Sequence, residues 1–308
     1  MNSRVTRTSL IGAGLVVAYT GFISSADAIT KLIAADYAAP QLFALSGLLV
    51  MLFSVGANRF SKQKAGLGTT CPRAMAVRSL ATVLAAVCFF YAFRFLPFAD
   101  VFLFIGLMPL MAGLFSGLIL REHVRPAAWG ALMAGFVGIL CLFPQGLNMI
   151  TPGHMFAFGA AVFGTLSMVM ARYIGRYETN ALAQVFYPNA AIFVSMAVAL
   201  PFVWKPMPVV DLGWVVAYAA LLFAARWLLV VSLRLLAAYA VTPLMNLQFV
   251  WMVILGALAF GELPAVATVI GVGIVIASGL FLVWDQFTPQ SERKPLFPRL
   301  FDRFRTDP

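Results

Sequence analysis

Apolar residues in this chain run in blocks of about 20, separated by short breaks rich in basic, glycine and proline residues. A helix needs about 20 residues to cross ~30 Å of hydrocarbon, and inside a bilayer only helices or closed barrels satisfy their own backbone polar groups. The blocks predict ten membrane-spanning helices at 9–34, 41–57, 75–94, 99–120, 126–143, 153–173, 181–203, 212–233, 240–260 and 264–284. Nine or eleven crossings is the alternative count. The fold class is all-α, a polytopic membrane protein, and ten helices in 308 residues leave no room for a separate soluble domain.

Two of the blocks echo each other. Arg94 and Glu122 bracket one apolar run, and Arg234 and Glu262 bracket another 140 residues further on. Aligned without gaps, the runs also share Leu96/Leu236, Val101/Val241, Leu107/Leu247 and Leu118/Leu258; after one inserted residue, Gly130 and Gly138 match Gly271 and Gly279. Leucines coincide by chance in any membrane protein, but charged residues make up only 10% of this chain. The pattern predicts a duplication, with a first five-helix repeat at 1–143, a second at 144–285 and a tail at 286–308.

Composition adds orientation. The chain is 62% hydrophobic, its mean hydropathy is +0.95 and its net charge is +10. That charge does not mark nucleic-acid binding, because the basic residues sit in short loops between spans, where they set topology. With the N-terminus placed in the cytoplasm, seventeen Lys and Arg fall on that side and three (Lys31, Arg94, Lys205) on the other, leaving Arg226 inside a span. Both termini are therefore expected to be cytoplasmic, in a bacterial inner membrane. Glu122 and Glu262 then face opposite sides, so the repeats are expected to be inverted. Cys71, Cys88 and Cys141 argue against a disulfide framework. The first block could pass for a cleaved leader, but its loss would remove the partner of span 153–173, so it is read as a span.

Polar residues inside spans carry the candidate chemistry, because each is costly unless it faces protein or water. Arg226 lies mid-span and either binds a substrate group or fixes a helix pair. Asp27 and Lys31 are spaced i, i+4 on the first span and form a candidate polar pair. Lys31 alternatively snorkels to the interface, and Asp27 is the carboxylate best placed to meet Arg226 or carry a proton. Tyr19, Thr20, Ser24 and Ser25, then Gln184, Tyr187 and Asn189, then Thr242, Asn246 and Gln248 with Trp251, mark a polar interior; interhelical hydrogen bonding is the alternative for each. The substrate-binding set expected from this pattern is Asp27, Arg226, Asn246, Gln248, Gln184 and Trp251. Pro109 and Pro188 are candidate kinks or hinges, Pro243 fits a first helical turn, and Gly113-x-x-x-Gly117 is a packing motif.

No G-x-x-x-x-G-K-[ST], H-E-x-x-H or G-x-S-x-G motif is present, and His123 and His154 fall at opposite faces. No catalytic residue, metal site or cofactor is expected, and the chain is not expected to be an enzyme. The segment "FISSADAITKLI", the "RE" and "GE" ends of the fourth and ninth spans, and the glycine-rich spans after them resemble the drug/metabolite transporter superfamily in its ten-helix EamA-type branch. The resemblance implies inverted five-helix repeats and a central cavity lined mainly by spans 1, 3, 4, 6, 8 and 9. It departs from many relatives in having Ser46 where an arginine is common near the start of the second span. Its first implied function is uptake of riboflavin or a similar vitamin, on the Asp27-Ala28-x-x-Lys31 pattern. Export of amino acids or toxic metabolites, or a non-transporting receptor or assembly subunit, are the other readings. Expected partners are a small-molecule substrate, the lipid bilayer and a second copy in a homodimer, with no nucleic acid.

Overall fold

The computed structural model describes residues 3–60, 66–96, 101, 104–120, 129–130, 133, 137, 151–236, 241, 244–245, 247–261, 270, 273–274 and 277. Among them every regular element is helical. Helix α1 is Ser3–Ala34, α2 Ala39–Phe60, α3 Pro72–Phe95, α4 Met108–Phe115, α5 Pro152–Gly175, α6 Ala181–Val203, α7 Val209–Leu235 and α8 Gln248–Phe260. Six of these (α1, α2, α3, α5, α6 and α7) are long and apolar enough to cross a membrane. The chain is a multi-pass membrane protein.

Local chemistry sets the ends. Proline opens α3 and α5, where its missing N–H costs no hydrogen bond. Thr151 and His154 form a capping box at the start of α5. Helix α3 stops at Leu96, whose backbone is extended because Pro97 follows it. Helix α7 stops at Leu236 with nearly the same angles although no proline follows. Gly261 ends α8 in the left-handed region, at φ 67°, which a glycine adopts without strain.

The fourth and ninth blocks differ from the continuous helices expected. Gly106 and Leu107 form a turn, and α4 starts afresh at Met108. Pro109 therefore lies in the first turn of a new helix and does not kink the middle of an old one. The ninth block turns at Leu247 before α8 begins, at the position matching Leu107. A further irregularity follows α4, where Ser116–Leu120 widens into a π-helical turn. The fifth and tenth blocks lie mostly outside the described residues; Trp129, Gly130, Met133, Val137, Ile270, Gly273, Ile274 and Ala277 within them are helical.

Packing follows a paired scheme. Helix α1 lies against α7, α3 against α5 and α2 against α6, the most extensive contacts in the bundle. Helix α1 also touches α8, as α5 touches α4; α2 touches α7, as α3 touches α6. Lipid tails are as apolar as leucine, so helices associate through close fit rather than through the hydrophobic effect. Small residues provide that fit. Ala157, Ala160 and Ala161 of α5 are buried, and Gly47 of α2 sits against the α6 backbone, where a Cβ would lie 3.2 Å from Asn189 O. Two closer approaches match each other. A Cβ on Gly12 would meet Leu236 Cγ at 2.8 Å, and one on Gly153 would meet Leu96 Cγ at 2.8 Å.

Candidate functional site

A cavity of about 170 Å³ lies inside the bundle. Its wall comes from α1, α3, α5 and α7, from Ile105 and Met108, and from Met245 and Gln248, with single residues Phe43 of α2 and Pro188 of α6. The wall is built in matched positions. Arg78, Thr82, Ala86 and Phe89 follow one face of α3 at spacings of three and four, and Tyr218, Leu222, Arg226 and Leu229 follow α7 with a constant separation of 140. Ile105 and Met108 correspond in the same way to Met245 and Gln248. On α1 and α5 the separation is 141, so that Ile23, Asp27 and Thr30 face Gly164, Met168 and Ala171.

The chemistry on this wall is not matched. Arg78 stands opposite Tyr218, Arg226 opposite Ala86, Asp27 opposite Met168 and Gln248 opposite Met108. Each charged group has its own holder. Gln248 Nε2 donates to Asp27 Oδ2 at 2.8 Å, and the hydroxyl of Ser24 donates to the Gln248 backbone carbonyl at 3.2 Å, which ties α8 to α1. Arg226 Nη1 donates to Asn189 Oδ1 at 3.0 Å, while Asn189 Nδ2 donates to Val185 O at 2.7 Å. Arg78 Nη1 donates to Gln184 Oε1. Gln184 and Asn189 are both fully buried on α6, so one helix holds guanidinium groups from α3 and α7. Five other polar side chains in the spans (Ser25, Thr30, Ser54, Thr82 and Thr165) donate back to the carbonyl four residues earlier, satisfying themselves locally.

The expected site residues separate into groups. Asp27, Arg226, Gln248 and Pro188 line the cavity, and Gln184 stands behind Arg78. Trp251 does not join them: it is 41% exposed on the outer face of α8, beside Gly21 of α1. Lys31 lies over the Phe260 ring at 4.9 Å, while Asp27 bonds Gln248, so the two diverge from one shared helix face. Arg226 bonds an amide rather than Asp27. Asn246, Thr242 and Pro243 lie outside the described residues. Arg78 was missed because it follows Arg73 closely and counts as a loop charge, yet it is only 7% exposed, in the second turn of α3. The available signal was its spacing from Thr82, Ala86 and Phe89, a face with no other charge.

Polar ties close the two ends of the bundle. At one end, Tyr37 between α1 and α2 donates to Asp211 Oδ2 at 2.6 Å, and Gln41 Nε2 in the first turn of α2 donates to Lys205 O at 2.5 Å. The hydrogen bond to Asp211, then burial and the nearby carboxylates, push the Tyr37 phenol up to about 12. At the other end, one oxygen of the buried Glu178 accepts from the Thr70 amide at 2.7 Å and from the hydroxyls of Thr69 and Thr70 at 3.0 and 3.1 Å. Asn180 Nδ2 donates to Gly66 O at 2.8 Å, joining the same two segments.

Comparison with known proteins adds identity to this geometry. Residues 9–143 match the EamA-like transporter family. A protein of Vibrio cholerae named a riboflavin transporter is 26% identical over 60% of this chain, and the match spans 62% of that relative's length. A Rickettsia prowazekii protein named an S-adenosylmethionine uptake transporter is 21% identical over 75% of this chain and 78% of its own. A Pseudomonas aeruginosa protein named a pseudopaline exporter is 30% identical over 42% of this chain and 44% of its own. A solved crystal structure shares the fold with a TM-score of 0.69, covering 92% of this chain and 97% of its own at 18% identity. Residues 9–143 are thus an EamA-like domain, of the kind that makes up the drug/metabolite transporter superfamily.

Proposed function

We propose that this protein is a secondary-type carrier of a small polar or aromatic metabolite, working by alternating access around the central cavity. The observation that carries the reading is the cavity wall itself, matched in position between the two halves but unmatched in charge. Inverted repeats at 1–143 and 144–285 account for that matching: exchanging α1 with α5, α2 with α6, α3 with α7 and α4 with α8 maps the packing scheme onto itself. The matched breaks before α4 and α8 support the same reading, since discontinuous helices beside a midplane site recur in carriers built from such repeats. Ties at both ends supply two gates, one of which releases while the other holds. Ten spans, both termini in the cytoplasm and a bacterial inner membrane complete the proposal, on the charge distribution across the loops.

Uptake of riboflavin or a similar vitamin is the first substrate to test. The Vibrio cholerae relative and the aromatic wall residues Tyr19, Phe43, Phe89, Phe93 and Tyr218 support it. Export of an amino acid or toxic metabolite is a second reading, favoured by the charged groups on the wall and by the Pseudomonas aeruginosa relative. Flux of a substrate panel into and out of proteoliposomes, with and without a pH gradient, separates the two. Binding of a panel member with no flux in either direction would instead identify a receptor and sink the carrier reading.

A further inference from the structure

Among the described residues, Arg78 and Arg226 bring two guanidinium groups to the cavity wall against a single carboxylate there, Asp27, one of whose oxygens is taken by Gln248. The Arg78 Nε is buried without an acceptor, and so is the Nε2 of Gln184, the residue that holds Arg78. Buried polar groups are nearly always paired. Both of these orphans are donors, both belong to one hydrogen-bonded cluster, and one of them is cationic. An acceptor carrying negative charge in the cavity is the group that would satisfy the cationic one, Arg78, which lines the wall. Glu178 spends one oxygen on Thr69 and Thr70 at the end of the bundle, and its other oxygen, also buried without a partner, makes no hydrogen bond to Arg78. Asn189 in turn fixes Arg226 from the α6 side. Guanidinium forks bind carboxylate and phosphate oxygens in pairs, which gives orientation as well as affinity.

We infer that Arg78 and Arg226 clamp an oxyanion group of the transported molecule, a carboxylate or a phosphate, with Gln184 holding Arg78 from behind. The inference rests on the carrier reading for what it calls the substrate, but binding tests it independently of flux. Calorimetry on the detergent-solubilised full chain would compare two matched probe pairs, benzoate with benzamide and riboflavin 5′-phosphate with riboflavin. In at least one pair the anion should bind about tenfold tighter or better, as expected when a charged acceptor completes buried donors. Which pair responds separates carboxylate from phosphate. The preference should fall below about threefold in an Arg78→Gln/Arg226→Gln double variant and persist in Trp251→Phe. Neutral probes binding as tightly as the anions in both pairs would overturn the inference on the unaltered chain alone, whether or not the double variant folds. So would an anion preference that survives the double substitution. Anion binding without proteoliposome flux would leave the clamp standing and sink the carrier.

Discussion

Gly12 and Gly14 lie two residues apart on α1 and should respond to the same substitution with opposite signs. A Cβ on Gly12 would sit 2.8 Å from Leu236 Cγ, 3.1 Å from its Cδ1 and 3.3 Å from Leu235 Cβ, whereas nothing lies within 4 Å of one on Gly14. Carbon atoms pack best at about 3.5–4.0 Å, so the Cγ contact is too short by roughly 1 Å. Leu236 is buried and its extended backbone follows directly on the end of α7, so the branch point cannot swing away cheaply. Overpacking of this kind costs about 1–3 kcal/mol. Replacing glycine by alanine within a helix gains up to ~1 kcal/mol at either site, and that gain cancels in the comparison. Gly14→Ala should therefore be more stable than Gly12→Ala by about 1–3 kcal/mol. Gly153→Ala should behave like Gly12→Ala, because its Cβ would meet Leu96 and Phe95 at 2.8–3.0 Å. Reversible denaturation of the purified chain in mixed micelles reads these differences. Equal stability of the Gly12 and Gly14 variants would refute the close approach of α1 to α7.

Three further outcomes follow from the site and its ends. Gln248→Leu removes the donor to Asp27 and leaves a carboxylate unsupported, at a cost of about 1.5–3 kcal/mol; initial transport rates should fall roughly tenfold or more, while Trp251→Phe stays within about threefold because that ring faces outward. Glu178→Gln replaces charge-assisted bonds by neutral ones, so hydrogen exchange at the Thr70 amide should quicken while protection near Tyr37 is unchanged; equal exchange in both proteins would count against the tie. The raised Tyr37 phenol stabilises the fold fully below the ordinary tyrosine value of 10.0, and that contribution is lost as pH rises through about 12. The stability difference between the unaltered chain and Tyr37→Phe should hold steady up to pH 10 and shrink above it, and a difference that first appears above pH 10 would have the wrong sign.

Much of the frame was legible because bilayer crossing leaves a strong mark. Six blocks match long apolar helices, and α6 begins and ends where its block does. Spacing also brought Asp27, Arg226 and Gln248 forward as polar groups that a span would keep only for a reason. Hydropathy says nothing about which way a residue faces once two helices pack, so Trp251 and Gln248, three apart, looked alike until one proved outward and the other inward. Arg78 escaped because positive charge near a span end normally marks a loop. The breaks before α4 and α8 were hidden for a different reason: Pro109 draws attention to itself, while Leu107 and Leu247, the matched turn positions, are ordinary leucines.

Alternating access requires the two ends of the bundle to open in turn around one cavity. Spin labels placed in a cysteine-free background, at Arg73 and Tyr177 for one end and at Asp36 and Lys205 for the other, would measure it by pulsed dipolar spectroscopy in liposomes. Each pair should then show two distance populations, with the long distance at one end weighted as the short distance at the other, and with substrate shifting both in opposite directions. A single narrow distance at both ends, or two ends that widen together, would contradict it.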